Sequence, residues 1–530
     1  MTNRRITSLI VIAVSLIITL SMTIYTNKKA AVKSTNSYSE PLVSADKEDN
    51  ALSSLSDDFT LKSDFSSNLP IVIIDTESIE PPVNTKFNEQ TLLYEPIKDI
   101  EPFVDGTISV LDNNKRNLLT DNPTSKSKIK IKLRGNTSMK YAKPQYLVKL
   151  ITETGQDNEL SLLGMGTDNE WIINGTMTDK SMMRNYLAYR TASKFLSYTP
   201  DALYCEVVIK EKDAYTYQGV YLMGESVKQG LNRVDISKYK ATENYNSYMV
   251  RRDRYDEEAI MLKTYATQNK LSSGYLGLRY PSKINVNPKM IDYIEKDISK
   301  IEKILYSDNS SEFSTYPYYI NVDSFIDYFI INEYFGNYDA GNNSTYMYKE
   351  LGGKLSIGPV WDFDGAVDNF TEKPMNVKAL AVQTAPWFDR LTKDKSFVLK
   401  LQKRYAQLRR TYLSEENITN DINEIEAYIA PAQEREWARW NEIRSKQDGY
   451  ALKPYRDAEG DKINREISEY DQDVFKLKTI LRKHGNEIPK SLQALGQVAT
   501  KETDWTSRTN LILLFVVALF CIPIIYVSRE

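Results

Sequence analysis

A chain of 530 residues with one histidine and two cysteines lacks most of the side chains that usually carry catalysis. The lone His484 stands in a basic helical run, Leu481-Arg482-Lys483-His484. A Ser-His-Asp or Cys-His relay is therefore excluded unless His484 serves it, and zinc sites built from several histidines are excluded outright. Cys521 falls in an apolar C-terminal run, which leaves Cys205 without a partner for a disulfide in the polar part of the chain. Excess positive charge is also missing: the formal net charge is -3 and the pI is near 5.8, which argues against a nucleic-acid-binding domain. No internal repeat and no G-x-G-x-x-G phosphate loop is present. Chemistry in this chain must run on carboxylates, amides, lysine and arginine.

What is present describes a folded domain with appendages, at 41% hydrophobic and 26% charged residues. Ile6 to Tyr25 is an uncharged run of about 20 residues and Leu511 to Val527 one of about 17, both within the range that crosses a bilayer as a helix. A cleaved signal and a buried core helix are the respective alternatives. Lys28-Lys29 follow the first run at once with no A-x-A-like site, and Arg508 and Arg529 flank the second, so both are expected to be retained anchors. The expectation is a two-pass membrane protein, with an anchor over 1–27, a transmembrane helix over 509–528 and the main domain on the extracytoplasmic side. Residues 28–68, rich in Ser, Asp, Asn and Lys, read as a flexible linker, with order beginning at Leu69.

Strand patterns follow. Pro70 to Ile74 is β-branched, Gly106 to Leu111 alternates, and Ile129, Ile131 and Leu133 alternate with Lys128, Lys130 and Lys132 ahead of a partner at Tyr146 to Ile151. The connection from Gly135-Asn136-Thr137-Ser138 to Pro144 is rich in donors and framed by Arg134, Lys143 and Lys149. It is a candidate phosphate clamp, although an alternating lysine strand is more often a solvated face. Asp179 is placed to cap a helix in which Arg184 and Asn185 either sit on the surface or orient phosphates. Glu225 closes a strand and either pairs with a phosphate-binding lysine or is exposed there. Residues 237–320 read as a Tyr-rich, irregular insertion.

Asn332 to Ala366 organises the rest. Ser324 to Phe335 is apolar on most sides and predicts a buried helix stopped by Gly336, delivering Asn337-Tyr338-Asp339 to its end. Thr345 to Lys349, Gly352-Gly353 and Lys354 to Ile357 predict a hairpin. A two-residue turn puts Leu351 opposite Lys354 and Asn343 opposite Asp362, with Asp339 upstream and Asp364 two residues on; Gly358-Pro359 is the place where this register would slip by one. Such oxygen ligands suit a hard cation such as Mg2+ or Mn2+, although acidic hairpin ends are more often merely solvated.

The run from Asp323 to Asn369, with its helix ending near N-x-D, small-residue turn, Tyr-rich strand and G-P-V-W-D-F-D, resembles the signature block of the CotH (spore coat protein H) kinase family. K-L-R-G-N-T-S followed by K-P and a Lys-bearing strand is similar to the family's N-terminal motif. W-x-x-x-G…D-K-S-x-x-R-N, G-V-Y-x-x-x-E and W-F-x-R-L-x-K-D stand in family order, over roughly Pro70 to Arg410. The resemblance implies an atypical protein kinase: an α+β, two-lobed kinase-like domain over 69–410 with a helical C-terminal part over 411–500. ATP and Mg2+ or Mn2+ would be the cofactors and a Ser/Thr-rich protein the substrate. Carried over by position, Asp339 is the base, Asn343 and Asp362 hold metal, and Arg134, Lys143, Lys149 and Glu225 manage the nucleotide phosphates. The His-Arg of H-R-D-x-x-x-x-N is missing, and Asp339 to Asn343 is one residue short of that motif. Two rival readings are a catalytically silent, tethered scaffold or adhesion module and a metal-dependent hydrolase using Asp362 and Asp364, which lacks the further carboxylates of a two-metal site.

Overall fold

The computed structural model describes residues 38, 42–43, 51–90, 93–113, 116–135, 137–175, 177–256, 259–369, 374–446, 455–456, 462–463 and 469–503. Seven strands close into a barrel: β1 (Ile71–Asp75), β2 (Val104–Leu111), β3 (Ser125–Leu133), β4 (Tyr146–Ile151), β5 (Glu170–Gly175), β6 (Ala202–Glu211) and β7 (Ala214–Glu225). Their spatial order is β6-β7-β5-β4-β3-β2-β1. β1 shuts it, pairing antiparallel with β2 and parallel with β6, where Ile71 lies opposite Glu206. Period-2 alternation fills the inside: Ile129, Ile131, Val148, Leu150, Trp171 and Cys205 are buried there, while the lysines of β3 point to solvent. Order starts earlier than Leu69, because Leu61 and Phe65 pack with Val208 and Tyr217.

The segment read as an irregular insertion supplies three strands of a second sheet, β8 (Tyr248–Asp253), β9 (Ile260–Met261) and β10 (Tyr275–Tyr280). The organising stretch adds β11 (Thr345–Lys349) and β12 (Ser356–Ile357), in the order β9-β10-β8-β11-β12. Among the described residues the helices longer than four residues are α1 (Arg184–Ser193), α2 (Pro288–Leu305), α3 (Val322–Tyr334), α4 (Lys395–Arg409), α5 (Glu415–Lys446) and α6 (Tyr470–Val498). α3 is buried on nearly every side, as its apolar pattern requires, and ends at Gly336 with φ +59°.

Two expectations are corrected here. The fold is a mixed α+β structure in which one apolar core runs from Leu69, Tyr204 and Leu222 through α1 and α3 to Leu492 on α6. The barrel's outer face and the second sheet thus share this core, beside the separate core inside the barrel, in place of the two-lobed kinase-like plan flanked by transmembrane helices. Among the described residues no helix is long and apolar enough to cross a membrane. The longest, α5 and α6, carry charged residues throughout. The two-pass membrane placement is therefore withdrawn; the runs Ile6 to Tyr25 and Leu511 to Val527 lie outside the described residues.

The hairpin register is also one residue off. Met347 lies opposite Ile357 and Tyr348 opposite Ser356. The reason is the turn: Gly353 N donates to Glu350 O at 2.8 Å and only Gly352, at φ +76°, is left-handed. The reversal therefore spans Glu350–Gly353 with the glycine third, and the I′ turn that needs two left-handed residues does not form. Pairing stops at Ile357, so Asn343 does not face Asp362.

Candidate active site

Gly336 releases the chain into a loop wound tightly on itself. Asn343 N donates to Asp339 O at 2.8 Å and Asn343 Nδ2 to Asp339 Oδ1 at 2.9 Å. Gly341 N donates to Thr345 Oγ1 at 2.7 Å, and that hydroxyl donates to Asn343 O at 2.9 Å. Gly341 has φ +83°, and a Cβ there would lie 2.5 Å from that of Ala385, so only glycine fits. Burial pushes the Asp339 carboxyl above its ordinary pKa; the Asn343 amide opposes this and nearby Asp362 adds to it.

Asp362 enters from the other side on a stretch pinned by α1. Phe363 N donates to Asn185 Oδ1 at 2.6 Å and Asp362 N to the Tyr189 hydroxyl at 3.4 Å. The backbone of Asp362 is left-handed, φ +66°, a strained state for a non-glycine residue that packing must hold. Ser344 Oγ donates to Asp362 Oδ2 at 3.1 Å, and Thr178 Oγ1 to Asp364 Oδ2 at 2.9 Å. Asn337 Nδ2 donates to Asp362 O at 3.3 Å, tying the two halves together. Although Asp362 is partly accessible, its carboxyl is pushed up to about 8. Loss of hydration is the largest cause, then the charge of Asp364 and the hydrogen bond between the two; Arg134 and Ser344 oppose it.

Arg134 reaches this place from the end of β3. Its Nη1 donates to Gln145 Oε1 at 3.1 Å, and its guanidinium lies 5.7 Å from the Trp361 ring centre. Trp361 in turn stacks on Tyr189 at 6.0 Å. Burial lowers the Arg134 pKa, with Asp362 the leading opposing influence. Of the loop that follows, Asn136 lies outside the described residues.

The remaining expected phosphate residues are elsewhere. Lys143 is fully buried and bound to Glu436. Lys149 points out of the barrel, 41% exposed, opposite Lys130 on the neighbouring strand. Glu225 is buried and bound to Arg233 at 2.8 Å, to the Tyr198 hydroxyl and to Asp201 N, with no lysine among those partners. Arg184 neither faces solvent nor stands free for phosphate: it is held by Asp179 at 2.5 Å and Asp473 at 2.8 Å. Thr178 and Ser344, which orient the two aspartates, carried no sequence signal beyond the adjacency of Ser344 to Asn343.

A divalent cation fits the donor set at Asp362 and Asp364. Two carboxylates in contact repel, and a cation between them removes that cost. Among the described residues no group of three or more His, Cys, Asp or Glu side chains could hold a metal ion. A cation held there would take its remaining ligands from amide, phosphate and water oxygens, as Mg2+ prefers.

Comparison with known families matches residues 131–486 to the family described as CotH kinase protein. A match over most of the chain makes the assignment plain: the chain belongs to the CotH kinase family. A search among curated proteins found no similar one.

Proposed function

We propose that the chain is a protein kinase that transfers the γ-phosphoryl group of ATP to Ser or Thr hydroxyls of a protein, at the junction of barrel and second sheet. Family membership supports kinase chemistry with ATP and a divalent metal. The observation that carries the site is the convergence of the Asp362–Asp364 pair, Arg134 and the Asp339–Asn343 loop, from three separate segments.

Phosphoryl transfer asks mainly for positioning and charge neutralisation, which a site without catalytic histidine can supply. Asp339 accepts the proton of the acceptor hydroxyl. Its raised pKa makes it a stronger base than an exposed carboxylate, and Asn343 fixes one oxygen so that the other is presented. Asp362 and Asp364, with Asn343 in the adjoining loop, would hold the cation, which would neutralise phosphate charge when bound. Arg134, steadied on Trp361 and Gln145, meets the developing charge on the transferred group.

Incubation of the full chain with γ-labelled ATP, Mn2+ and a Ser-rich acceptor tests this, and stable label in acceptor phosphoserine or phosphothreonine is the expected result. Label released only as inorganic phosphate would make the chain a hydrolase, and absence of any ATP turnover would leave the scaffold reading.

A further inference from the structure

The barrel side brings one cation, Arg134, to the carboxylates, because Lys143 is buried against Glu436 and Lys149 faces outward. A triphosphate tail carries more charge than one guanidinium and one divalent cation neutralise. The second sheet holds unassigned cations on the facing side. Arg251 in β8 lies directly opposite Tyr346 in β11 and Gly277 in β10. Arg279, two residues beyond Gly277, is the extra residue of the bulge where the pairing steps from Val250–Leu278 to Met249–Tyr280, and Arg251 and Tyr346 act on it electrostatically. Arg252 takes the opposite face, over the Trp387 ring at 5.5 Å and bonded to Ser273 O at 3.1 Å.

Arg251 and Tyr346 share one sheet face, beside the stretch that carries Asp362. Tyr346 O accepts from Gly358 N at 2.8 Å, where the Gly358–Asp364 stretch departs. Arg134 lies over the Trp361 ring of that stretch at 5.7 Å, and Asp362, Tyr346 and Arg251 act on it electrostatically. Asp253 and Arg254, at the end of β8, act likewise on Asp339. Arg251 is 22% exposed and bound to Asp253 at 3.0 Å. Arg279 is exposed, with neither hydrogen bond nor ion pair among the described residues. Asp253 is bonded to Arg251 and Asp256 acts on both guanidiniums, which repel each other; an anion placed between them relieves that repulsion.

We propose that Arg251 and Arg279 form the second wall of an anion-binding seat, opposite Arg134, for the polyphosphate tail of the nucleotide. The proposal rests on the kinase reading above. Arginine is the side chain for this task, since its planar fork offers paired donors to phosphate oxygens at a fixed angle. The clamp of this chain is then arginine on both walls, with a lysine serving only from behind.

Direct binding of MnATP, adenosine and inorganic tripolyphosphate to the full chain tests the seat. Arg251→Gln and Arg279→Gln should each weaken MnATP and tripolyphosphate by about tenfold or more, the scale of a charged hydrogen bond. Adenosine affinity, acceptor KM and the melting temperature should stay unchanged. Lys149→Ala is the control and should alter none of these. Arg279 is on the surface, so its variant folds even if that of Arg251 does not. Unchanged MnATP and tripolyphosphate affinity in both variants overturns the seat, as does an equal loss for adenosine. A rise in acceptor KM alone also overturns it and assigns the face to the acceptor. Failure of the wild-type chain to bind MnATP overturns the kinase reading instead, and tripolyphosphate binding then decides the seat by itself.

Discussion

Lys143 and Glu436, 293 residues apart, form a fully buried ion pair in which Lys143 Nζ lies 2.8 and 2.9 Å from the two carboxylate oxygens. Glu436 also accepts from Val220 N at 2.8 Å and from Arg444 Nη2 at 2.6 Å. The charge pair clips α5 to β7 and to the strand-connecting segment that begins at Arg134. Burial pulls the Lys143 pKa down to about 8 against the hold of Glu436. The lysine thus belongs to the scaffold behind the site.

Glu436 is the counter-ion of two buried cations, so its removal should cost more than removal of either. Glu436→Gln is expected to lose about 3–5 kcal/mol in equilibrium urea unfolding. Lys143→Met should lose less, because Arg444 still neutralises the carboxylate. Gly219→Ala should also destabilise strongly, since at φ +112° its new Cβ would lie 2.1 Å from Glu436 Oε2.

Lys149 and Arg134 were expected to act alike, yet one is outside the barrel and the other stands beside Asp362. Lys149→Ala should leave nucleotide affinity at the wild-type value, in step with Lys130→Ala on the adjoining strand. Arg134→Gln should weaken MnATP about tenfold. Equilibrium binding of the four proteins checks the contrast.

His484 packs between α3 and the loop after Asn369, with Nδ1 2.8 Å from Val377 O and Nε2 2.7 Å from Glu333 O. Two acceptors satisfy both ring nitrogens only in the imidazolium form. Burial opposes that form, but Glu333 and the two carbonyls outweigh it and the pKa is raised from 6.5. A raised folded pKa means that the stabilisation is complete below about pH 6.5 and fades as pH rises through the folded value. The melting temperature of wild type should therefore fall relative to His484→Gln across that window. As the chain's one histidine, its imidazole resonances give the folded pKa directly by NMR.

Local pattern made the local elements legible. The alternation of Ile129 and Ile131 with lysines marked β3, and the all-round apolar run to Phe335 marked α3 and its Gly336 stop. Motif resemblance drew Asp339, Asn343 and Asp362 to notice. Barrel closure was not legible, because it depends on β1 meeting β6 across more than a hundred residues, which no local period encodes. The partners of Lys143 and Glu225 were missed for the same reason: Glu436 lies on a late helix, and Arg233 sits just past the strand in a turn without a motif. The hairpin slipped because two adjacent glycines do not reveal which of them takes the left-handed position.

The central claim is that Asp339 acts on the acceptor while Asp362 serves the cation, and the division is read by transfer and nucleotide binding in Asp339→Asn and Asp362→Asn, measured across a Mn2+ titration with melting curves for both. Asp339→Asn should keep Mn2+-dependent ATP binding while transfer falls about 100-fold or more, the scale of a lost general base. Asp362→Asn should abolish transfer and shift ATP binding to higher Mn2+. Full transfer in both folded variants would contradict the account, and loss of Mn2+ dependence in Asp339→Asn alone would reverse the two roles.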